Sequence, residues 1–364
     1  MLIKDVITHM ESLAPLAYAE GFDNVGLLVG DKNTALTGIL ITHDTLEEVV
    51  DEAIAKNCNL IVSFHPIIFS GIKKFNGQDY VNRVVIKAIK HDIAIYATHT
   101  ALDNVQQGVN KTICDKLNLI NREILIPKKE FILKLTTYVP LDDAETLRKA
   151  LFNAGAGNIG NYSNCSFNIT GEGTFKGNQN SNPSVGEKGK LHTEKEVQLN
   201  MTFEQHLEQT ILHELFTNHP YEEVAYEITK LKNSYQKIGL GMVGELETEI
   251  DENDFLELLK DQMNTQCVRH SALTGKPIKK VAVLGGSGAS AIANAKSSGA
   301  DAYVTSDLKY HDFYQAENHI LLCDIGHYES EQYTKSLLYE FLSKKLPNFA
   351  IVLSGINTNP VNYF

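Results

Sequence analysis

The sequence has little cysteine, and the cysteines present form no recognisable pattern. Five cysteines are scattered over 364 residues, an odd number, and no two are spaced as C-x-x-C. A disulfide framework uses an even, regularly spaced set, and a thiolate zinc site uses closely spaced pairs, so both are excluded. Any metal ion in this protein must therefore be held by histidine and carboxylate side chains.

Long hydrophobic runs and an excess of positive charge are also missing. No run of about 18 or more apolar residues occurs, and the acidic Asp5 stands where a signal peptide would carry its apolar segment. We therefore expect a cytoplasmic protein with no membrane partner. Lys and Arg number 33 against 45 for Asp and Glu, a net charge of −12. Such a field repels phosphate backbones, so nucleic acid is not an expected partner.

The length indicates more than one domain. At about 100–200 residues per domain, 364 residues predict two or three. From residue 36 to about 120, and again from 281 to 353, short apolar runs alternate with segments of helical spacing, including a predicted helix at 308–318. Strands separated by helices of this length favour parallel sheets with both faces covered. We therefore predict an α/β domain made of two similar parallel-sheet halves, residues 1–127 and 234–364.

The segment between these halves, residues 128–233, has a different pattern. A predicted strand at 162–169 is followed by a stretch rich in Gly, Asn, Ser and Pro, residues 171–189, which is expected to interrupt the regular structure. The predicted element order of the whole segment, β-α-β-β-α-β, is that of a ferredoxin-like unit. We therefore predict an inserted ferredoxin-like α+β domain.

Polar residues that follow the predicted strands are the candidates for chemistry, because parallel α/β sheets place ligands at the carboxyl ends of their strands. The predicted metal site consists of His65, Asp103, His327 and Glu331. Pro66 favours an extended residue 65, and the spacing of four between His327 and Glu331 puts both on one helix face. Imidazole and carboxylate suit Zn²⁺, Mn²⁺ or Fe²⁺ better than Ca²⁺. Each residue taken alone also fits an ordinary role, as a loop histidine or a helix-capping aspartate.

A glycine-rich turn is a second candidate feature. Gly285, Gly286, Ser287 and Gly288 follow a predicted strand and precede a predicted helix. The last three are the candidate substrate-binding residues, because amide groups at a helix start can hold an anion. A tight strand-to-helix turn explains the same pattern equally well. The stretch also fits a loose dinucleotide fingerprint, which leaves an NAD-dependent enzyme as a weaker alternative.

Six motifs, in this order, resemble those of one family. They are DNVGLLVG at residues 23–30, HPIIF at 65–69, HTALD at 99–103, GGSG at 285–288, TSDLKYHD at 305–312 and GHYESE at 326–331. In these motifs the sequence is similar to the NIF-three-like family, whose bacterial members are commonly named GTP cyclohydrolase 1 type 2 homologues. HPYEEVAYE at residues 219–227 resembles part of the CutA-like or PII-like domain inserted in the longer members.

The resemblance implies a dinuclear metal centre in a ring-shaped homohexamer, a trimer of dimers. In such proteins one ion is held at the positions of His65, Asp103 and Glu331, and the other by the first His of an HHP motif, the position of His327 and the same Glu. Here Phe64 stands in place of that first His. Because an apolar ring cannot coordinate a metal, we expect one tight ion, with zinc as the first candidate, and a second site that is weak or empty.

The expected function is that of a metal-dependent hydrolase. A metal-activated water would attack a carbon or phosphorus of a nucleotide or a related phosphorylated heterocycle, while His99 orients Asp103 or moves a proton. The family name points to GTP, although neither a name nor a fold determines a reaction. The alternative from another class is a non-enzymatic metal carrier or regulatory hexameric ring, in which the insert gates access or senses a small effector.

Overall fold

The first 129 residues alternate between helices and short strands in a computed structural model that describes residues 1–364 apart from the side chain of residue 236. The elements are α1 (Ile3–Leu13), β1 (Gly26–Val29), β2 (Ile39–Thr42), α2 (Glu47–Ala55), β3 (Leu60–Ser63), α3 (Tyr80–Lys90), β4 (Ala94–Ala97), α4 (His99–Asp103), α5 (Val109–Lys116) and β5 (Ile120–Lys129). β2, β3 and β4 are buried along their whole length. Continuous burial is what parallel strands show when helices cover both faces of a sheet.

The middle of the chain forms an antiparallel sheet with two helices. Its elements are β6 (Ile132–Pro140), α6 (Ala144–Asn153), β7 (Phe167–Phe175), β8 (His192–Glu204), α7 (Glu208–Asn218) and β9 (Tyr226–Leu231). The sheet order is β7-β8-β6-β9, and apolar residues of β6, β8 and both helices make its core. The element order is therefore the β-α-β-β-α-β that the sequence predicted.

The remainder of the chain returns to the mixed pattern. Its elements are β10 (Ser234–Ile250), α8 (Glu252–Met263), β11 (Arg269–His270), β12 (Ile278–Ser287), α9 (Ile292–Ser297), β13 (Ala302–Ser306), β14 (Leu321–Asp324), α10 (His327–Glu331), α11 (Thr334–Lys345) and β15 (Ile351–Leu353). By their contacts the residues divide into two compact units, Met1–Pro127 with Gln236–Phe364, and Lys128–Tyr235. Among the described residues no helix combines the length and the apolar character needed to cross a bilayer.

The larger unit has two sheets whose strands come from both ends of the chain. The first has the order β1-β4-β3-β2-β15 and the second the order β11-β14-β13-β12-β10-β5. The second half of the chain thus contributes β15 to the first sheet, and the first half contributes β5 to the second sheet. The mixed α/β class is confirmed, and the two parts of the chain expected to form one domain lie in one compact unit, in which each sheet takes one edge strand from the other half.

The sheets are also mixed rather than purely parallel. β15, β2, β3 and β4 run parallel, as do β12, β13 and β14, whereas β1, β10 and β11 run antiparallel to their neighbours. The antiparallel strands lie outside the strand–helix repeats from which parallel pairing was predicted. Two consecutive strands run parallel when the chain between them crosses back, usually as a helix, to the end of the sheet where the first strand began.

Two local predictions need correction. The helix expected at residues 308–318 is only a 3₁₀ turn, Asp312–Ala316, because left-handed backbone at Asp307 and Glu317 interrupts the chain on both sides. The break expected from residue 171 begins later, since β7 continues to Phe175. Along this stretch β7 pairs with β8 residue by residue, and this pairing outweighs the weak strand propensity of its glycines.

Candidate metal centre

Adjacent strand ends bring the first group of candidate side chains together. β2, β3 and β4 pair in parallel and in register. Beyond their last residues, the amide of His65 donates to the carbonyl of His43 at 3.0 Å, and that of His99 donates to the carbonyl of Phe64 at 2.8 Å. The centroids of the His65 and His99 rings are consequently 5.3 Å apart.

The helix α10 supplies the second group. It starts after Gly326, whose φ of +92° and crowded surroundings suit glycine alone. One helical turn then places His327 Nε2 3.2 Å from Glu331 Oε2. The Nε2 atom of His65 approaches the same oxygen at 3.2 Å. The structure therefore brings His65, His327 and Glu331 together around one carboxylate oxygen.

The fourth predicted ligand, Asp103, ends helix α4 with its side chain only 8% exposed. Neither its Oδ1 atom nor Glu331 Oε2 has a hydrogen-bond partner. Burial, followed by the nearby charge of Glu331, holds the pKa of Asp103 well above its usual range. Two buried carboxylates repel each other unless a cation lies close to both. Their arrangement thus favours bound positive charge.

Two further carboxylates orient the imidazole rings of His65 and His327 through their Nδ1 atoms. The Nδ1 atom of His65 lies 2.7 Å from Asp44 Oδ1, and that of His327 lies 2.6 Å from Asp307 Oδ2. Because an ionised carboxylate only accepts hydrogen bonds, each Nδ1 carries the proton. The Nε2 atom of each ring then faces Glu331 and is the nitrogen available to a metal ion. This carboxylate–imidazole relay is the arrangement typical of metal-binding histidines.

The pKa values of His65, His327 and Glu331 are shifted by their closeness to one another. Burial by itself lowers the pKa of His65, but contact with Asp44 and Glu331 outweighs it and raises the pKa to about 10. For His327 burial is likewise outweighed by Glu331 and Asp307, which raise its pKa to about 9. Burial raises the pKa of Glu331, yet the two imidazoles hold it well below its usual range. Protons on the imidazoles thus compensate the carboxylate in the absence of an ion.

His99, the predicted catalytic residue, lies at the edge of this cluster. Its Nδ1 atom is 2.8 Å from Asp23 Oδ1, and its side chain is partly accessible. Asp23 also accepts from the amide of Thr100 at 3.1 Å. Burial raises the pKa of Asp23, but its bonds to His99 and Thr100 outweigh this and lower it. No role was predicted for Asp23 from the sequence, although it begins the DNVGLLVG motif at residues 23–30.

His43 is the residue that sequence reasoning missed. It follows β2 directly, and its side chain is only 1% exposed. Its Nδ1 atom lies 3.2 Å from Thr334 Oγ1, and its Nε2 atom lies 3.6 Å from Glu331 Oε2. Its ring stacks on the fully buried Phe64 at 5.4 Å between centroids. Burial lowers the pKa of His43 to about 4. Its position directly after an apolar strand was the available signal, but none of the six motifs includes it.

The glycine turn is placed beside the cluster, but its amides are already engaged. The amide of Gly285 donates to Asn110 Oδ1 at 3.0 Å and that of Gly286 to Ser330 Oγ at 2.9 Å. Gly286 has φ of +70°, and a Cβ on it would overlap the Glu331 carboxylate. A Cβ on Gly288 would overlap Thr305 instead. These glycines therefore provide space, and in this turn the exposed Ser287 is left to meet a ligand.

The donor set fits a transition metal. His65, His327 and Glu331 each offer one atom within 4.8 Å of the others, and a second such group is formed by His43, Asp44 and His65. Imidazole nitrogen with carboxylate oxygen is the donor chemistry of zinc, manganese and iron sites. The unpartnered oxygens of Asp103 and Glu331 are the acceptors that such an ion would satisfy.

Comparison with known proteins identifies the family of this chain. The family model described as Duf34/NIF3 (NGG1p interacting factor 3) matches residues 1–360. The chain belongs to the DUF34/NIF3 family. The resemblance stated from the motifs is therefore confirmed. A GTP cyclohydrolase 1 type 2 homolog of Bacillus subtilis strain 168 is 37% identical over 99% of this chain and 98% of its own. Another, of Staphylococcus epidermidis, is 34% identical over 100% of both chains.

Two solved structures share the architecture of this chain. The Bacillus cereus protein related to NIF3 matches with a TM-score of 0.87 and 36% identity over 100% of this chain and 99% of its own. Staphylococcus aureus protein SA1388 matches with a TM-score of 0.78 and 30% identity over the same shares. Because these matches cover the entire chain, the inserted unit is common to this chain and to both of those proteins.

Proposed function

We propose that this protein is a metal-dependent hydrolase that acts on a nucleotide or a related phosphorylated heterocycle. The observation that carries the proposal is the approach of two imidazole Nε2 atoms, of His65 and His327, to one buried oxygen of Glu331 at 3.2 Å each. The naming of relatives as GTP cyclohydrolase 1 type 2 homologs supports the substrate class by association.

Side chains from both ends of the chain would hold the ion. His65, Asp103 and Glu331 form the first binding position, and His327 shares Glu331 with it. Zn²⁺ is the first candidate for this donor set. When bound, such an ion supplies Lewis-acid chemistry, which lowers the pKa of water and stabilises negative charge on the group under attack. Asp44 and Asp307 keep the two imidazoles in the tautomer that can bind it.

His99 is placed to move a proton at the edge of the centre. Its Nδ1 proton is held by Asp23, which leaves Nε2 as the basic atom. The ring is accessible, with 19% of the side chain exposed, and it lies beside His65 rather than against Glu331. We infer that His99 accepts a proton from the reacting water or returns one to the leaving group.

An aromatic rim next to His99 supports a planar substrate. The ring centroids of Phe69 and His99 are 6.2 Å apart, and those of Phe22 and Phe69 are 6.4 Å apart. Phe69 is 51% exposed and Phe22 is 68% exposed. Exposed aromatic rings beside a polar centre provide stacking surfaces for a heterocyclic base. The ring of the substrate would lie on this rim and its phosphates near Ser287.

The test is turnover by metal-reconstituted protein. Purified protein is stripped with chelator, reloaded with Zn²⁺, Mn²⁺ or Fe²⁺, and incubated with GTP and a panel of phosphoesters. We expect turnover that depends on the metal and is lost in His65→Ala and Glu331→Ala, but is kept in the exposed control His91→Ala. Full turnover in Glu331→Ala would contradict the proposal. Metal binding without turnover, together with transfer to an apo-acceptor, would favour the carrier function.

We also infer that the inserted unit, Lys128–Tyr235, is a CutA-like or PII-like domain. The support is its strand order, β7-β8-β6-β9 with α6 and α7 contributing to one core, together with the motif HPYEEVAYE at residues 219–227. In this sheet the buried apolar residues of β6 and β8 meet the helices. The opposite face would then be available to sense a small effector.

A further inference from the structure

We propose that His43 is a metal ligand, and that it restores beside Glu331 the second cation position that Phe64 cannot serve. This inference rests on the proposed metal centre and deepens it. Its starting point is the position of His43 Nε2, which is buried, has no hydrogen-bond partner and lies 3.6 Å from Glu331 Oε2. The facing oxygen of Glu331 also has no hydrogen-bond partner.

The tautomer of His43 follows from its other nitrogen. A threonine hydroxyl has one proton, and Thr334 donates it to the carbonyl of Glu331 at 2.7 Å. At the 3.2 Å contact between His43 Nδ1 and Thr334 Oγ1, the imidazole must therefore be the donor. With its proton on Nδ1, the neutral ring directs a bare Nε2 lone pair at a carboxylate oxygen. A cation between these two buried acceptors would satisfy both of them.

The distances around Glu331 fit shared ions. Ligand atoms at about 2.0–2.2 Å from zinc, with angles of about 90–120°, lie about 3–3.6 Å from each other. Glu331 Oε2 is 3.2 Å from His65 Nε2, 3.2 Å from His327 Nε2 and 3.6 Å from His43 Nε2. One oxygen of Glu331 thus lies within the distance that separates two ligands of the same ion from three different imidazoles. Together with Glu331 and Asp103 these imidazoles make five ligands, one more than a tetrahedral zinc ion binds.

The strand register explains how an imidazole reaches this place. β2 and β3 are parallel neighbours in register, so the residue after β2 lies beside the residue after β3. These residues are His43 and Phe64, and their rings are stacked with an angle of 26° between planes. The imidazole of His43 thus follows β2, one strand away from Phe64, which follows β3. Exchanging the two side chains would move the imidazole to the end of β3 and leave one phenyl and one imidazole ring in this stacked pair.

The experiment measures metal content and binding rather than activity. Chelator-treated wild type, His43→Leu, His43→Gln, Phe64→His and the double variant His43→Leu/Phe64→His are titrated with Zn²⁺ by calorimetry and assayed for bound metal. Co²⁺ absorption reports the ligand field, and circular dichroism verifies folding. We expect two ions per chain in wild type, one in both His43 variants, and two again in the double variant.

The outcomes separate this inference from the proposed function. One tight ion in wild type, or two ions held with unchanged affinity by both His43 variants, would overturn the role of His43 and leave the hydrolase proposal intact. Lower stability of the metal-free His43 variants with unchanged metal stoichiometry would identify a purely structural histidine and also overturn it. No metal bound by wild type would instead refute the metal centre itself.

Discussion

Substituting Gly286 by alanine should displace the Glu331 carboxylate as well as strain the backbone, and should therefore weaken metal binding. Gly286 has φ of +70°, and a Cβ built on it overlaps Glu331 Oε1. An alanine in left-handed backbone costs about 1–2 kcal/mol. Overpacking a filled site costs a further 1–3 kcal/mol or so, for a total of about 2–5 kcal/mol. The added methyl group cannot be accommodated unless the carboxylate moves.

Movement of that carboxylate should be visible as lost affinity. Glu331 Oε2 approaches His65 and His327 at 3.2 Å each, so any displacement disturbs both contacts. We expect Zn²⁺ affinity to fall at least tenfold, which corresponds to about 1.4 kcal/mol. Isothermal titration of chelator-treated protein measures the affinity, and denaturant unfolding of the same samples measures the stability.

Gly299 offers a matched control for the backbone term. It has φ of +75°, and a Cβ there would have nothing within 4 Å. Gly299→Ala should therefore lose only the 1–2 kcal/mol or so of left-handed strain and keep its metal affinity. If Gly286→Ala binds Zn²⁺ as tightly as Gly299→Ala, the reasoning that this glycine exists to admit the Glu331 carboxylate is refuted.

Three further predictions concern the surroundings of the centre. Asp44→Asn should weaken Zn²⁺ binding about 10–100-fold in a calorimetric titration, because it removes the charge that fixes the tautomer of His65; an unchanged affinity would contradict this role. In metal-free protein the folded-state pKa values of about 10 for His65 and 9 for His327 exceed the ordinary 6.5, so their stabilisation should be complete below pH 6.5 and be lost as the pH rises through 9–10. Urea unfolding at several pH values tests this, and a His65→Gln/His327→Gln variant with the same pH profile would count against it. Light scattering should give six times the 40.4 kDa chain mass for the expected homohexamer, whereas a monomer or dimer would exclude that ring.

The sequence predicted the site residues whose positions depend on their immediate neighbours in the chain. The spacing of His327 and Glu331 predicted a shared helix face, and α10 provides it. His65 was expected at the end of a buried strand, and β3 ends two residues before it. In both cases the decisive geometry is set within a few residues, by one helical turn or one strand end.

What the sequence could not reveal depends on contacts between distant segments. His43 meets Thr334 and Glu331, nearly three hundred positions later, and no local spacing records that meeting. Asp307 has left-handed backbone directly after β13, where the helix was expected to begin, and its carboxylate meets His327, twenty positions later. The direction of β10 follows from its pairing with β12 and not from its own residues.

The pairing of β15 with β2 has a consequence for biosynthesis. Ile351 lies beside Ile39, and Thr358 donates to Asp44 at 2.7 Å, so residues 351–358 extend the first sheet and support its imidazoles. A nascent chain emerging from the ribosome would hold His43 and His65 early but would lack Glu331 and β15 until nearly three hundred further residues have been added. Stable capture of a metal ion would then be postponed until those later residues are available to enclose it.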